Sequence, residues 1–144
     1  ALPLVAGFDW GYDLSHVKDQ PIAAERVAYV THPYPQKRAA QWQEQWQQDW
    51  GYVAEHYPVV STEFGFMSAD GAGAHEPVIG DEVYGKAIIE FFEQRGISWK
   101  PWVFDAEWTP ALLEDWNFKP SRQGLLFKAE LQRLNQPVIS STAP

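Results

Sequence analysis

The chain has 144 residues, 45% hydrophobic and 15% aromatic, with a formal net charge of −8. That length suits one domain with a real core, and the aromatic load is far from a disordered profile. The acidic balance excludes a nucleic-acid partner, the lack of cysteine excludes a disulfide framework and thiolate chemistry, and no apolar run reaches the roughly 20 residues of a membrane span.

The opening "ALPLVAG" carries no methionine, as expected of a processed or excised product. The first predicted strand is "LPLVAGF" (2–8), a short apolar run closed by polar residues. Residues 9–25 predict no more than a short helix around 14–19. "RVAYVTH" (26–32) is the second strand. The segment "RAAQWQEQWQQDWGYVAEHY" (38–57) repeats Trp42, Trp46, Trp50 and Val53 at steps of four, four and three. That spacing predicts a helix with one apolar stripe, whose tryptophans pack rather than bind.

"YPVVSTEF" (57–64) is the third strand. The glycine-rich loop "SADGAGAHEPVIGDE" (68–82) follows it, read as a mobile surface loop in preference to a calcium loop. "DEVYGKAIIEFFEQRG" (81–96) predicts a helix that starts on two acids and closes on Gly96. "ISWKPWVF" (97–104) is the fourth strand, and "SRQGLLFKAELQRL" (121–134) a last helix. Ser121 is its expected N-cap, with Leu126, Phe127, Leu131 and Leu134 on one side. The tail "NQPVISSTAP" reads as a surface strap or a disordered end.

Strand and helix in alternation imply an α/β fold of four parallel strands joined by crossovers. The nearly continuous apolar runs predict a sheet covered on both faces. Neither G-x-G-x-x-G nor G-x-x-x-x-G-K-[ST] follows a strand, so phosphate binding has no support. What recurs at the strand ends is different. Asp9 and Trp10 follow the first strand, His32 and Tyr34 the second, Glu63 the third, and Trp99, Trp102 and Asp105 cluster on the fourth.

In parallel α/β folds this edge carries the catalytic groups. A carboxylate, an imidazole, a phenol and a flat indole gathered there suit sugar cleavage. Trp99 and Trp102 are three apart, so on a strand they face opposite ways; Trp102 is assigned to the site and Trp99 to the core. Trp10 and Trp108 lie in loops that would extend a sugar cleft. The bland readings stand beside these: Glu63 as a glutamate in a buried ion pair, His32 as a core histidine, Tyr34 as packing.

"YVTHPYP", "YPVVSTEFGF" and "GISWKPWVFD" resemble the last three strand motifs of glycoside hydrolase family 5, the cellulase-type (β/α)8 barrels. "LPLVAGFDWGYDL" resembles the fifth strand of that barrel. The resemblance implies half of a TIM barrel, βα units five to eight, over residues 1–136, with a tail at 137–144. It implies a retaining β-glycosidase acting on β-1,4-glucans, with Glu63 as nucleophile, Tyr34 as the phenol that hydrogen-bonds it, and His32 beside them. Trp102 would lie under the sugar ring at the cleavage point, with Asp105 among the substrate-binding residues. Secretion is what the resemblance favours for location. No metal or organic cofactor is implied, since both chemical steps use carboxylates and water.

The fourth-strand asparagine–glutamate–proline motif that supplies the acid/base in that family is absent. Retaining hydrolysis needs a second carboxylate about 5–5.5 Å from the first. Asp9, Asp105 and Glu107 are the local substitutes to test. The alternative function is a catalytically silent, carbohydrate-binding or self-assembling half-barrel; a doubly wound domain with an accidental T-E-F-G match is a third. Four strands from a barrel leave two open edges and an inward face, with Leu4, Val30, Val60 and Val103 among its candidates. A second copy or the missing N-terminal half is the expected cover, and the isolated chain is not expected to be a stable monomer.

Overall fold

Four short strands lie side by side in chain order in the computed structural model, which describes residues 1–136. β1 (Leu4–Ala6) pairs with β2 (Ala28–Thr31), β2 with β3 (Val59–Ser61), and β3 with β4 (Ser98–Trp99), every pair parallel. The expected tail at 137–144 lies outside the described residues. The ladders are shorter than the apolar runs that predicted them. Beyond β3, Phe64 and Phe66 turn into the core; beyond β4, Trp102 N–H bonds the Phe64 carbonyl at 2.7 Å and Val103 N–H that of Pro110 at 2.9 Å.

Side chains alternate across the register rows. Val5, Tyr29 and Val59 share one row and pack into the hydrophobic core. Ala6, Val30, Val60 and Ser98 share the other. The expectation of a sheet covered on both faces is corrected here, because Leu4, Ala6 and Ser98 are exposed. Of the residues named for the open face, Leu4 is 52% exposed, Val60 is half-buried and Val30 is buried. Val103 falls outside the strands altogether.

α1 (Phe8–Gly11) is a single distorted turn rather than a helix, since Asp9 and Trp10 both have φ of 53°. A 3-10 turn at Ser15–Lys18 answers to the short helix expected there. The long helix predicted over 38–57 is broken into α2 (Gln43–Asp49) and a 3-10 turn at Gly51–Glu55. The break falls where Trp50 swings to φ −157° and Gly51 lies so close to Phe91 that a Cβ there would be 2.7 Å from its ring. The stripe survives the break: Trp46, Trp50 and Val53 are all buried.

α3 (Glu82–Gln94) is capped by Asp81, whose carboxylate accepts from Val83 N–H at 2.9 Å and from Tyr84 N–H. α4 (Arg122–Leu134) starts at Ser121, whose hydroxyl accepts from Gly124 N–H at 3.1 Å. Each such cap contributes about 1 kcal/mol. On α4, Phe127 is buried and Leu126 half-buried, but Leu131 and Leu134 are exposed. Leu131 lines an open apolar groove beside β4 with Phe104 and Phe118, and among the described residues no element covers that flank.

Aromatic rings hold the core together. Phe91 meets Trp46 edge-on at 5.4 Å and Trp50 at 5.0 Å. Phe64 meets Phe92 at 5.1 Å, Phe127 at 5.2 Å and Trp99 at 5.8 Å, all edge-on. Such pairs add about 0.5–1.5 kcal/mol each beyond the area they bury. The core therefore fixes the third strand's exit through Phe64, one residue after Glu63.

Candidate active site

The ends of β2 and β3 bring a phenol to a carboxylate. After β2 the chain runs through His32 and Pro33 to Tyr34; after β3 it runs through Thr62 to Glu63. Tyr34 donates its hydroxyl to Glu63 Oε1 at 2.7 Å. Burial, and then the Glu63 acceptor, push the Tyr34 phenol far above its ordinary range, so it stays protonated and remains the donor. His32 Nδ1 lies 3.9 Å from Glu63 Oε2, and its Nε2 lies 2.8 Å from Thr62 Oγ1. The imidazole packs against Gly11, where φ is +86° and a Cβ would stand 2.8 Å from Nδ1. Only glycine satisfies both demands.

Glu63 and Tyr34 open into a cavity of about 570 Å³. Its aromatic walls are Trp10 from the end of β1, with Trp102 and Trp108 from the region after β4. Trp102 and Trp108 lie 6.2 Å apart, ring centre to ring centre, tilted by 58°. Trp99 instead packs on Phe64 and Phe127, on the core side.

Asp105 does not line this cavity. Its Oδ1 accepts from Glu107 N–H at 2.6 Å and Trp108 N–H at 2.9 Å, and these bonds hold its carboxyl below the usual range. The effect is to shape the loop that carries Trp108. Neither of the other substitute acids lines the cavity. Asp9 pairs with Lys37 at 2.8 Å, and Glu107 accepts from Trp116 Nε1 at 3.1 Å.

Sequence reasoning missed six residues of the wall: Lys37, His75, Glu76, Pro77, Val78 and Thr109. His75 and Glu76 come from the loop read as a mobile surface segment. Backbone bonds pin that loop instead, Met67 N–H to the Val78 carbonyl at 3.0 Å and Gly80 N–H to the Met67 carbonyl at 2.9 Å. The signal was an H-E-P run after the third strand, polar residues on a loop at the edge where the strand ends gather. Gln123 was missed too. It is buried on α4 and holds the Trp102 carbonyl from behind at 3.0 Å. Among the described residues, no group of three or more His, Asp or Glu side chains converges as a metal site.

The arrangement offers a half-exposed carboxylate, a fixed phenol donor and flat apolar walls. A carboxylate so held can attack an electrophilic carbon, and indoles can cover the C–H faces of a sugar.

No curated protein matches the chain. Among solved structures, a beta-glucanase from Saccharophagus degradans is 43% identical, with a TM-score of 0.92 over 94% of this chain and 42% of its own. Its complex with cellotetraose matches at 42% identity and the same TM-score, 0.92. An endocellulase from Pyrococcus horikoshii shares the fold at 20% identity and a TM-score of 0.66, over 85% of this chain and 36% of its own. The chain thus spans about two-fifths of these structures' length, as half of a TIM barrel does. The profile of Cellulase (glycosyl hydrolase family 5) matches residues 2–107, and the chain belongs to that family.

Proposed function

We propose that this chain is the nucleophile-bearing half of a retaining hydrolase of β-1,4-glucans. The observation that carries the reading is the 2.7 Å hydrogen bond from Tyr34 to Glu63 in the wall of a tryptophan-lined cavity. In the first step a Glu63 oxygen attacks the anomeric carbon as the glycosidic C–O bond breaks, and the departing oxygen takes a proton from an acid. In the second step water displaces Glu63, giving its proton to the same group. The phenol holds the attacking carboxylate in one orientation throughout, and Trp102 carries the ring at the cleavage point, with Trp10 and Trp108 extending the cleft.

The acid comes from a complementary half-barrel. The 42% coverage of the beta-glucanase supports this, as do the two open sheet edges. A mechanism-based 2-fluoro-glycoside on the intact protein tests the assignment. The expected result is a covalent adduct on Glu63, and an adduct on any other residue overturns it.

A second reading applies to the isolated chain, and one observation favours it: none of Asp9, Asp105 and Glu107 shares the cavity with Glu63. Unless Glu76, the other carboxyl in that wall, protonates the leaving oxygen, the chain binds sugar and does not cleave it. Calorimetry with cello-oligosaccharides, paired with a reducing-sugar assay, separates the two readings: binding without product marks the silent form.

A further inference from the structure

The Asp9–Trp10 dipeptide is held in a conformation that ordinary residues avoid. Both residues have φ of 53°, with ψ of 56° and 41°, consecutive left-handed positions without a glycine between them. The loop around them is closed tightly: Phe8 N–H bonds the Asp13 carbonyl at 2.8 Å and Asp13 N–H the Phe8 carbonyl at 3.0 Å. Gly7 admits this closure, since a Cβ there would stand 2.1 Å from the Asp13 oxygen. The result is an indole left 88% exposed in the wall of the cavity that holds Glu63.

One side chain grips this dipeptide at three points. Lys37 Nζ lies 2.8 Å from Asp9 Oδ1, 3.2 Å from the Asp9 carbonyl oxygen and 5.2 Å from the centre of the Trp10 ring. A solvent-exposed lysine–aspartate pair holds little. This one differs, because the Lys37 side chain is only 14% exposed and touches carboxylate, backbone and ring of the same two residues. Its backbone is fixed in turn by the 3-10 turn at Pro35–Lys37 that follows Tyr34.

The geometry points to Lys37 as a positioning residue that holds Trp10 in its left-handed conformation as a stacking wall for a glucan chain. This rests on the reading of the Glu63 cavity as a sugar site. Trp10 follows β1 and the Trp102–Trp108 pair follows β4, so the walls rise from the two outer strands, with Tyr34 and Glu63 between them. Three inter-strand spacings separate those strands, roughly 14 Å, more than one sugar ring requires. The ligand class is therefore a β-linked oligosaccharide of several units, gripped at both ends of the cleft. Two of the three ammonium N–H groups are engaged by Asp9, the backbone carbonyl and Oδ1.

Calorimetry with cellotetraose on the intact protein tests the assignment through Lys37→Met, Trp10→Ala and the double variant. Each single change is expected to weaken binding about tenfold, and the double variant to bind no worse than Trp10→Ala alone. Lys37→Arg, which keeps the charge, should restore most of the affinity. In turnover the Lys37→Met loss should fall on KM more than on kcat. Affinity unchanged in Lys37→Met overturns the inference, as does a double variant whose losses multiply, because the two residues would then act independently. Absence of binding by the parent protein overturns the stacking role itself. The fluoro-glycoside experiment stands apart: failure to label Glu63 defeats the nucleophile reading while the binding cycle still decides the role of Lys37.

Discussion

Gln123 reaches from α4 to the carbonyl of Trp102 at 3.0 Å, tying a buried helix side chain to the backbone of a cavity wall. The same amide donates to the Pro110 carbonyl at 2.6 Å, and its Oε1 accepts from Phe66 N–H at 2.8 Å. All of its principal hydrogen-bonding capacity goes to three backbone segments that no regular ladder joins. Gln123→Leu leaves those backbone groups without that partner, at about 1–3 kcal/mol for a buried one. The expected loss in denaturant melts is about 3 kcal/mol, with weaker sugar binding beyond the loss of stability.

Tyr34→Phe removes one donor and little volume. Hydrogen bonds to a charged group contribute about 1.5–3 kcal/mol, so kcat in the assembled enzyme should fall about 10–100-fold. The fold should be nearly unaffected. Steady-state kinetics beside a thermal melt check both halves of that expectation.

Alkaline pH should unfold this protein steeply. Burial, foremost, raises the phenols of Tyr12, Tyr34 and Tyr84 above their ordinary value; Asp49 adds to it for Tyr12 and Glu63 for Tyr34. The folded state holds these protons more tightly than the unfolded chain, whose tyrosines titrate near pH 10. Their contribution is complete below about pH 10 and drains as pH rises through the window above it, by about 1.4 kcal/mol per pH unit for each phenol. Denaturant melts from pH 9 to 11 measure the slope, and Tyr12→Phe should flatten it.

Much of the fold was legible because the strand runs are chemically distinct from their surroundings. "RVAYVTH" and "YPVVSTEF" each hold a ladder, and alternation with helices implies that the strands run parallel, while their chain order in the sheet is what the resemblance to a (β/α)8 barrel adds. The helix over 38–57 was overextended because periodicity reports which face is buried, not whether the backbone is continuous. Trp50 and Val53 keep that face across the break at Gly51, which only the proximity of Phe91 explains. The strand-end residues of the site were readable for a related reason: one side chain per strand end meets at a shared mouth. Lys37, His75 and Glu76 come from segments without a hydrophobic period; the H-E-P run is a faint local sign, and tertiary packing brings all three to the wall. Asp105 looked like its neighbours in sequence, but the Glu107 and Trp108 amides engage it away from the cavity.

Gly124 inverts a common rule. Glycine within a helix usually costs about 1 kcal/mol relative to alanine, so Gly→Ala commonly stabilises. Here a Cβ would stand 2.0 Å from the Leu112 carbonyl oxygen, which also accepts from Ser121 N–H at 2.9 Å. Backbone must move to admit it, and overpacking of this kind costs about 1–3 kcal/mol. Gly124→Ala should lower stability in a denaturant melt; a gain would show that the loop yields freely.

The isolated chain should not persist as a monomer. Leu2, Leu4 and Phe8 are exposed along the β1 edge, and Phe104 and Phe118 stack, exposed, near the β4 edge. Unpaired edges beside apolar surface promote pairing with further strands. Sedimentation at micromolar concentration should find dimers or larger species, and a compact 16.5 kDa monomer would refute this.

Strand order that equals chain order has a consequence for how the molecule comes into being. Each βα unit docks on the one made just before it, and the ladders join Leu4 to Ala28, Tyr29 to Val59 and Val60 to Ser98, each across one crossover. Parallel pairing across a crossover is slow beside local helix formation, but pairing in chain order suits growth from a ribosome in the same direction. The meeting of Tyr34 with Glu63 joins two consecutive strands, but Phe64 beside Glu63 packs on Phe92, Trp99 and Phe127. The carboxylate's place is therefore settled by elements that the chain supplies later, and the pair is finished by the core rather than before it.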